Sequence, residues 1–138
     1  MIQKWIDSLL RQPRTIFLID AIGAFISFSV LALVIFFFHS FIGLSVFTLL
    51  LLLLFAGVLM LLSGLTYIMS GQSWKPSLRI IIVGNTMYAC FTVGLLLYHY
   101  PTITSWGLAY FLIELIILSA VIWLEINILR KGLNETLK

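Results

Sequence analysis

The sequence predicts an all-α membrane protein, an up-down bundle of four transmembrane helices preceded by a short amphipathic helix at the membrane surface. Apolar residues make up 62% of the chain and charged residues only 9%, and the mean hydropathy is +1.18. These values lie far outside the averages of soluble domains. A chain of 138 residues has room for one domain of this kind, so residues 1–138 are interpreted as a single membrane domain.

Residues 1–12 predict a helix that lies in the plane of the headgroups. Apolar side chains recur there at helical spacing, and the polar side chains fall on the opposite face. A short amphipathic helix with an aromatic residue and cationic side chains suits the boundary between water and lipid. We therefore expect Trp5 to anchor this helix at the interface, with Pro13 ending it or opening the next helix.

Four apolar segments follow, at residues 15–38, 44–69, 78–98 and 105–129. Each is long enough to cross about 30 Å of hydrocarbon as an α-helix. Strands of a membrane barrel would be about 10 residues long with alternating polarity, a pattern that none of the segments shows. The segments are joined by short stretches at residues 39–43, 70–77 and 100–104. Short connections force neighbouring helices to run antiparallel, which predicts the up-down order.

The basic residues predict the orientation of these helices. All of them precede the first segment, lie between the second and third or at the start of the third, or follow the fourth: Lys4, Arg11, Arg14, Lys75, Arg79, Arg130, Lys131 and Lys138. The positive-inside rule then places both termini and the tail at residues 130–138 in the cytoplasm. Trp5 and Trp74 are predicted anchors on the inner boundary and Trp106 on the outer one. Because topology accounts for the basic charge, no nucleic-acid partner is needed to explain it.

Polar residues on three segments fall at one depth near the cytoplasmic side. With a rise of 1.5 Å per residue, Asp20, Asn85 and Glu125 each lie about 8–9 Å inside the inner end of their helices. A layer of such side chains is disfavoured in contact with lipid. We expect these residues to form an inner polar cluster, together with Tyr67 on the second segment.

Small residues share a face of the first segment with Asp20, namely Gly23, Ala24 and Ser27. Small side chains at helical spacing allow two helix backbones to approach closely. This face therefore predicts a helix-packing seam. Asp20 does not fit such a seam, because a buried carboxylate must find a partner or carry a proton.

Glu114 lies near the predicted membrane centre, on the same helix face as Glu125. A charge at that depth costs about 2.5–3.5 kcal/mol on the insertion scale, and an ionisable group there is a functional-site hypothesis by default. Tyr110 lies on the same face, and Tyr88 and Thr92 of the third segment fall at a similar depth. These residues form the candidate intramembrane polar or proton site.

The sequence gives little support for a metal site, a cofactor or catalysis. Cys90 is the single cysteine, which excludes an internal disulfide and a cysteine-rich metal site. His39 and His99 lie near the outer boundary, where two imidazoles could ligate a haem axially, although boundary histidines are common. No phosphate-binding loop, nucleophile elbow or zinc-protease motif occurs. We therefore expect a protein that is not an enzyme and holds no cofactor.

Residues 13–20, 74–76 and 107–114 resemble stretches of small bacterial four-helix membrane proteins whose activity is not known. The architecture is also similar to the broad class of DoxX-like four-helix bundles. This resemblance implies the bacterial inner membrane and no particular activity. Small multidrug exporters share the chain length, the four helices and a membrane glutamate. The acids here lie on the first and fourth segments, and the one-sided charge argues against the dual topology of that family.

Short connections leave little material outside the membrane, so function is expected to reside in the helix faces. The sequence favours a non-catalytic accessory or assembly subunit of a membrane complex, or a bundle that binds a lipid or a quinone. Partners would be the lipid bilayer and another membrane protein or further copies of the chain. The alternative is a homo-oligomeric, proton-coupled transporter of a small molecule or cation that uses Glu114.

Overall fold

A computed structural model describes residues 1–69 and 73–138, and those residues form helices with no strand. The elements are α1 (Ile2–Arg11), α2 (Arg14–Leu33), a π-helical turn (Val34–Phe38), α3 (His39–Ile42), α4 (Val46–Met69), α5 (Trp74–Tyr98) and α6 (Ser105–Thr136). Within the described ranges, four helical stretches are long and apolar enough to cross a membrane: Arg14–Ile42, Val46–Met69, Trp74–Tyr98 and Ser105–Thr136. The predicted connection at residues 70–77 begins with residues 70–72, which lie outside the described part of the chain.

The last two helices extend beyond the bounds predicted from the sequence. α5 begins at Trp74, and Pro76 falls in its first turn, where a missing N–H leaves no hydrogen bond unmade. α6 continues to Thr136, so most of the predicted tail at residues 130–138 is helical. Contacts support this extension, because Lys131 forms an ion pair with Asp7 of α1 at 2.5 Å. A Cβ on Gly132 would lie 2.6 Å from the indole of Trp74, so only glycine allows this approach.

Helix α1 packs on the bundle with part of its apolar face. Ile6 and Leu9 are buried in a cluster that also contains Phe17, Leu78 and Ile128 of the long helices. Ile2 and Trp5 are exposed. The apolar surface of α1 is therefore divided between the protein interior and the surroundings, whereas the amphipathic pattern alone predicted contact with lipid.

The first long stretch includes a π-helical turn and reaches Ile42, four residues beyond the end predicted at residue 38. Gly43 then ends the helix with φ +81°, a left-handed conformation that favours glycine. A Cβ at this position would lie 2.3 Å from the carbonyl oxygen of Thr102. The amide of Thr104 donates to the carbonyl of Ile42 at 3.0 Å. The two connections at this end of the molecule are therefore bonded to each other.

The long helices pack in the order α2, α4, α5 and α6. Between α2 and α4, Asp20 meets Ser63 and Phe28 lies against Gly57, so rising numbers on one helix meet falling numbers on the other. Asn85 with Glu125 and Tyr88 with Glu114 show the same relation between α5 and α6. The contact between α2 and α6 is much smaller, and these two helices face each other across a cleft.

The interior consists of two apolar clusters with a polar layer between them. The larger cluster surrounds Leu52 and Phe111, and the smaller one surrounds Phe17 and Ile128 at the end covered by α1. Each long helix contributes one buried polar residue where one apolar cluster gives way to the other: Asp20, Ser63, Asn85 and Glu125. One layer of buried polar side chains therefore crosses all four long helices, while Thr48 of α4 and Thr92 of α5 are buried at other levels.

Large apolar side chains cover the outside of all four long helices, for example Phe25, Leu54, Val83 and Ile116, the last with 70% of its surface exposed. A soluble monomer rarely presents so much contiguous apolar surface to water. Four apolar helices with apolar exteriors indicate a multi-pass membrane protein.

Candidate functional site: a cleft between α2 and α6

The inner polar layer joins all four long helices. The side-chain amide of Asn85 donates to Asp20 Oδ1 at 2.9 Å and lies 3.4 Å from both carboxyl oxygens of Glu125. The hydroxyl of Ser63 donates to Asp20 Oδ2. All of these side chains are buried, and Glu125 has no exposed surface. The structure therefore brings together the three residues whose equal depth predicted a cluster.

Ser63 supplies the α4 hydroxyl of this layer, a role that the sequence reading gave to Tyr67. Tyr67 lies one turn nearer the end of α4, where its carbonyl accepts a hydrogen bond from Arg14 Nε at 2.8 Å. The Arg14 guanidinium also lies 4.8 Å from the centroid of the Tyr67 ring, an attractive geometry between a cation and an aromatic face. The antiparallel order of α2 and α4 gives the direction of this difference, because Asp20 lies after Arg14 on α2 and so meets a residue before Tyr67 on α4.

Two carboxyl groups bonded to one amide repel each other when both are charged. The hydrogen-bond donors to this layer, within the described residues, are the neutral side chains of Ser63 and Asn85. Coulomb repulsion is weakly screened away from water, so two negative charges here would destabilise the layer. The polar layer therefore joins the four long helices through hydrogen bonds between buried side chains.

A second polar group lies further along the bundle, between α5 and α6. The phenol of Tyr88 donates to Glu114 Oε1 at 3.1 Å. Glu114 Oε2 is buried and has no hydrogen-bond partner among the described residues. An unsatisfied buried polar atom is rare in folded proteins and calls for a specific explanation.

The other two residues predicted for this site have different positions. Tyr110 lines the cleft beside Glu114. Thr92 is fully buried, and its hydroxyl donates to the carbonyl of Tyr88 at 2.9 Å. Thr92 thus bonds to its own helix and supports the backbone at Tyr88, because its single donor is already used.

The cleft has a volume of about 260 Å³ and lies between α2 and α6. The helix α6 contributes Tyr110, Ile113, Glu114, Ile117, Leu118 and Val121 to its wall. Ala56 and Leu59 of α4, with Asn85 and Tyr88 of α5, form the opposite boundary. The cleft is therefore apolar over most of its length and carries the two polar groups, around Asp20 and around Glu114.

The small residues of α2 create this space. Gly23, Ala24 and Ser27 line the cleft, and a Cβ built on Gly23 meets no atom within 4 Å. Within the chain, these residues therefore do not form the predicted helix-packing seam. A stripe of small residues indicates close approach only when a second helix is present on that side, and α6 stands away from α2 at this level.

The predicted haem ligands bond to their own helices. His39 Nδ1 lies 3.1 Å from the carbonyl oxygen of Ile35, and His99 Nδ1 lies 3.0 Å from that of Leu95. Across residues 1–69 and 73–138, no group of three or more His, Cys, Asp or Glu side chains is arranged to hold a metal ion. His39 and His99 therefore lie near helix ends, and each bonds to its own helix.

The predicted tryptophan anchors differ in their surroundings. Trp5 and Trp106 are exposed, as expected of side chains at a membrane boundary. Trp74 is partly buried and packs against Gly132 of α6. Its indole therefore contributes to the contact between α5 and α6.

Comparison of the chain with models of protein families, with curated proteins and with solved structures gives no match.

Proposed function

We propose that this chain is an integral membrane protein that binds a hydrophobic small molecule in the cleft between α2 and α6, entering sideways from the bilayer. The observation that carries the proposal is the coincidence of an apolar cleft of about 260 Å³ with the unpartnered carboxyl oxygen of Glu114. Ligand sites are typically apolar cavities with a few polar groups that fix the orientation of the ligand. The proposal belongs to the lipid- or quinone-binding class predicted from the sequence.

The membrane arrangement is part of this proposal. The four long helices form an up-down transmembrane bundle in a bacterial inner membrane, with both termini in the cytoplasm and α1 at the inner surface. The one-sided basic residues support this orientation. The exposed Ile2 and Trp5 of α1 support contact of this helix with lipid. The cleft then lies at the depth of the hydrocarbon, where hydrophobic ligands concentrate.

A role as an accessory subunit is supported by the exposed apolar faces of the helices. Contact with lipid would explain those faces equally well. The cleft is open on the side of Gly23, Ile113 and Ile117, and it places carboxyl groups beside an apolar groove, a combination that a surface in contact with lipid does not need. Ligand binding accounts for both the space beside Gly23 and the free acceptor on Glu114. We therefore favour binding over a purely structural role.

The test is to fill the cleft and measure what co-purifies. In Gly23→Phe the new ring would occupy the cleft, because the Cβ position is open. Gly94→Phe is the matched control, since Gly94 is equally open and exposed but does not line the cleft. We expect native mass spectrometry from mild detergent to find a bound hydrophobic molecule in the parent and in Gly94→Phe, and to lose it in Gly23→Phe. Equal retention by the two variants would refute the proposed site.

Proton-coupled transport is a second candidate function, favoured by one observation. Asp20 and Glu114, two carboxyl groups at different depths, line the same cleft. Carboxyl groups within the membrane mark proton and ion pathways in transporters. The test is a proteoliposome assay in which a pH gradient drives uptake of a lipophilic cation. Flux that disappears in Glu114→Gln supports transport, and flux unchanged by this variant argues against it.

A further inference from the structure

We infer that the ligand of the cleft is an amphiphile whose polar end is a cationic nitrogen bearing an N–H, and that this cation replaces a proton on Glu114. The inference rests on the proposed function, since it needs the cleft to be a binding site. It concerns the charge and the hydrogen-bonding capacity of the ligand, which the cleft itself specifies.

The polar side chains around the cleft are either acidic or uncharged. Asp20 faces it from α2, Asn85 and Tyr88 from α5, and Tyr110 and Glu114 from α6. α4 adds only Ala56 and Leu59. Among the described residues, no lysine, arginine or histidine lines the cleft. A fatty acid or a phosphate would therefore meet carboxyl groups without a compensating cation, a like-charge contact that costs several kcal/mol at an interface.

The free acceptor on Glu114 defines the polar contact. Oε1 is already occupied by the hydroxyl of Tyr88, whereas Oε2 has no partner in the described part of the chain. An ammonium N–H can donate to Oε2, and hydrogen bonds between a cation and a carboxylate are about twice as strong as neutral ones. A quaternary cation carries the same charge but has no N–H to donate.

Charge balance at Glu114 couples binding to the release of a proton. An isolated carboxylate is costly at membrane depth, so the empty site is neutralised by a proton on the carboxyl group. When an ammonium binds, its positive charge takes the place of that proton. The carboxyl O–H bond breaks, the proton leaves to water, and the ligand N–H donates to the carboxylate. One charge enters and one leaves, so the net charge of the site is unchanged.

The remainder of the cleft suits an apolar body attached to that nitrogen. Ile113, Ile117 and Val121 form a wall along α6, and Gly23 and Ala24 leave room on the opposite side. The apolar part would extend from Glu114 towards the inner polar layer. Asp20 and Asn85 mark the far end of the space, and they are bonded to each other at 2.9 Å.

Three probes share a phenylbutyl body and differ in the polar end: phenylbutylamine, the matched alcohol phenylbutanol, and the trimethylammonium analogue. A fourth and larger probe, decylubiquinone, tests a carbonyl acceptor. Binding is measured by calorimetry on the full chain in lipid nanodiscs, with empty nanodiscs subtracted, in buffers of different ionisation enthalpy. We expect the amine to bind most tightly and to release about one proton, since one charge replaces another. In Glu114→Gln its affinity should fall about 10- to 100-fold, as for loss of a charged hydrogen bond.

Glu114→Gln keeps an acceptor for Tyr88 and nearly the same volume, so it should fold, and Glu135→Gln at the exposed end of α6 is the control. Tighter binding of decylubiquinone or the alcohol, lost in Gly23→Phe but unaffected by Glu114→Gln, would overturn the cationic ligand while leaving the cleft as a binding site. Binding of the trimethylammonium probe equal to that of the amine would overturn the N–H requirement. No binding of any probe, with Gly23→Phe indistinguishable from Gly94→Phe, would overturn both this inference and the proposed function.

Discussion

The phenol of Tyr88 donates to one carboxyl oxygen of Glu114 at 3.1 Å, and the other oxygen is buried without a hydrogen-bond partner among the described residues. Tyr88 is held there by burial against Phe55, with the ring centroids 5.4 Å apart. One aromatic donor therefore fixes the orientation of the carboxyl group without satisfying it.

Tyr88→Phe should destabilise the protein and loosen this orientation. The substitution keeps the ring packed on Phe55 but leaves both oxygens of Glu114 without a donor from Tyr88. An unsatisfied buried polar group costs about 1–3 kcal/mol. We expect a drop of that size in the free energy of unfolding, measured by SDS titration from mild detergent. Tyr98→Phe is the control, because Tyr98 is exposed. Equal stability of the two variants would contradict the importance of this bond.

Asn85→Leu should be more damaging than a polar change one residue along α5. It removes the amide that bonds both Asp20 and Glu125, so two buried carboxyl groups lose a donor. We expect a loss of at least about 2 kcal/mol, on the scale of one unsatisfied group for each acid.

Thr86→Val is the control for this comparison, since Thr86 is exposed and bonds only to the carbonyl of Ile82 on its own helix. Thermal unfolding in detergent followed by circular dichroism would check the difference. If Asn85→Leu melted no earlier than Thr86→Val, the polar layer would not contribute to stability.

Gly43→Ala should destabilise the two connections that follow Ile42 and Tyr98. The backbone at Gly43 has φ +81°, and the added Cβ would lie 2.3 Å from the carbonyl oxygen of Thr102. The left-handed conformation alone costs a non-glycine residue about 1–2 kcal/mol, and the clash adds to it. Gly94→Ala provides the comparison, because its Cβ position is open. A shift of the unfolding midpoint in Gly43→Ala alone is the expected result of the SDS titration.

Cysteine labelling should place the two ends of the bundle on opposite sides of the membrane. Cys90 is the chain's single cysteine, so Cys90→Ala gives a background without thiols. In that background, Lys138→Cys should react with an impermeant maleimide only after the cytoplasmic side is opened. Thr102→Cys should react in intact cells, following the positive-inside rule. The reverse pattern, or labelling of both from one side, would be incompatible with the proposed orientation.

The sequence predicts the depth of each polar group along its helix better than it predicts which residues contact that group. The fixed rise of a helix places Asp20, Asn85 and Glu125 at one depth, and the structure joins them in one layer. The neighbour on α4 depends on how α2 and α4 are registered, and that register is set by tertiary packing. Ser63 was therefore missed in favour of Tyr67, one turn away on the same helix.

The cleft could not be predicted from the sequence, for a related reason. Gly23 and Ala24 have the same pattern whether a helix packs on them or a space remains beside them. The difference depends on the path of α6, which bonds to α5 through Glu125 and Glu114 and has little contact with α2. The length of α6 likewise depends on contacts of Lys131 and Gly132 with α1 and α5, which are distant in the chain.

Hydrogen bonds connect the two sides of the bundle at two levels along its axis. At one level, Thr104 donates to Ile42, and Gly107 lies so close that a Cβ would be 2.4 Å from the same carbonyl oxygen. At the other level, Asn85 links Asp20 to Glu125. Between these two levels, bending of α2 or α6 would change the distance between the two helices. The width of the cleft can therefore respond to bending while both connected levels stay in place.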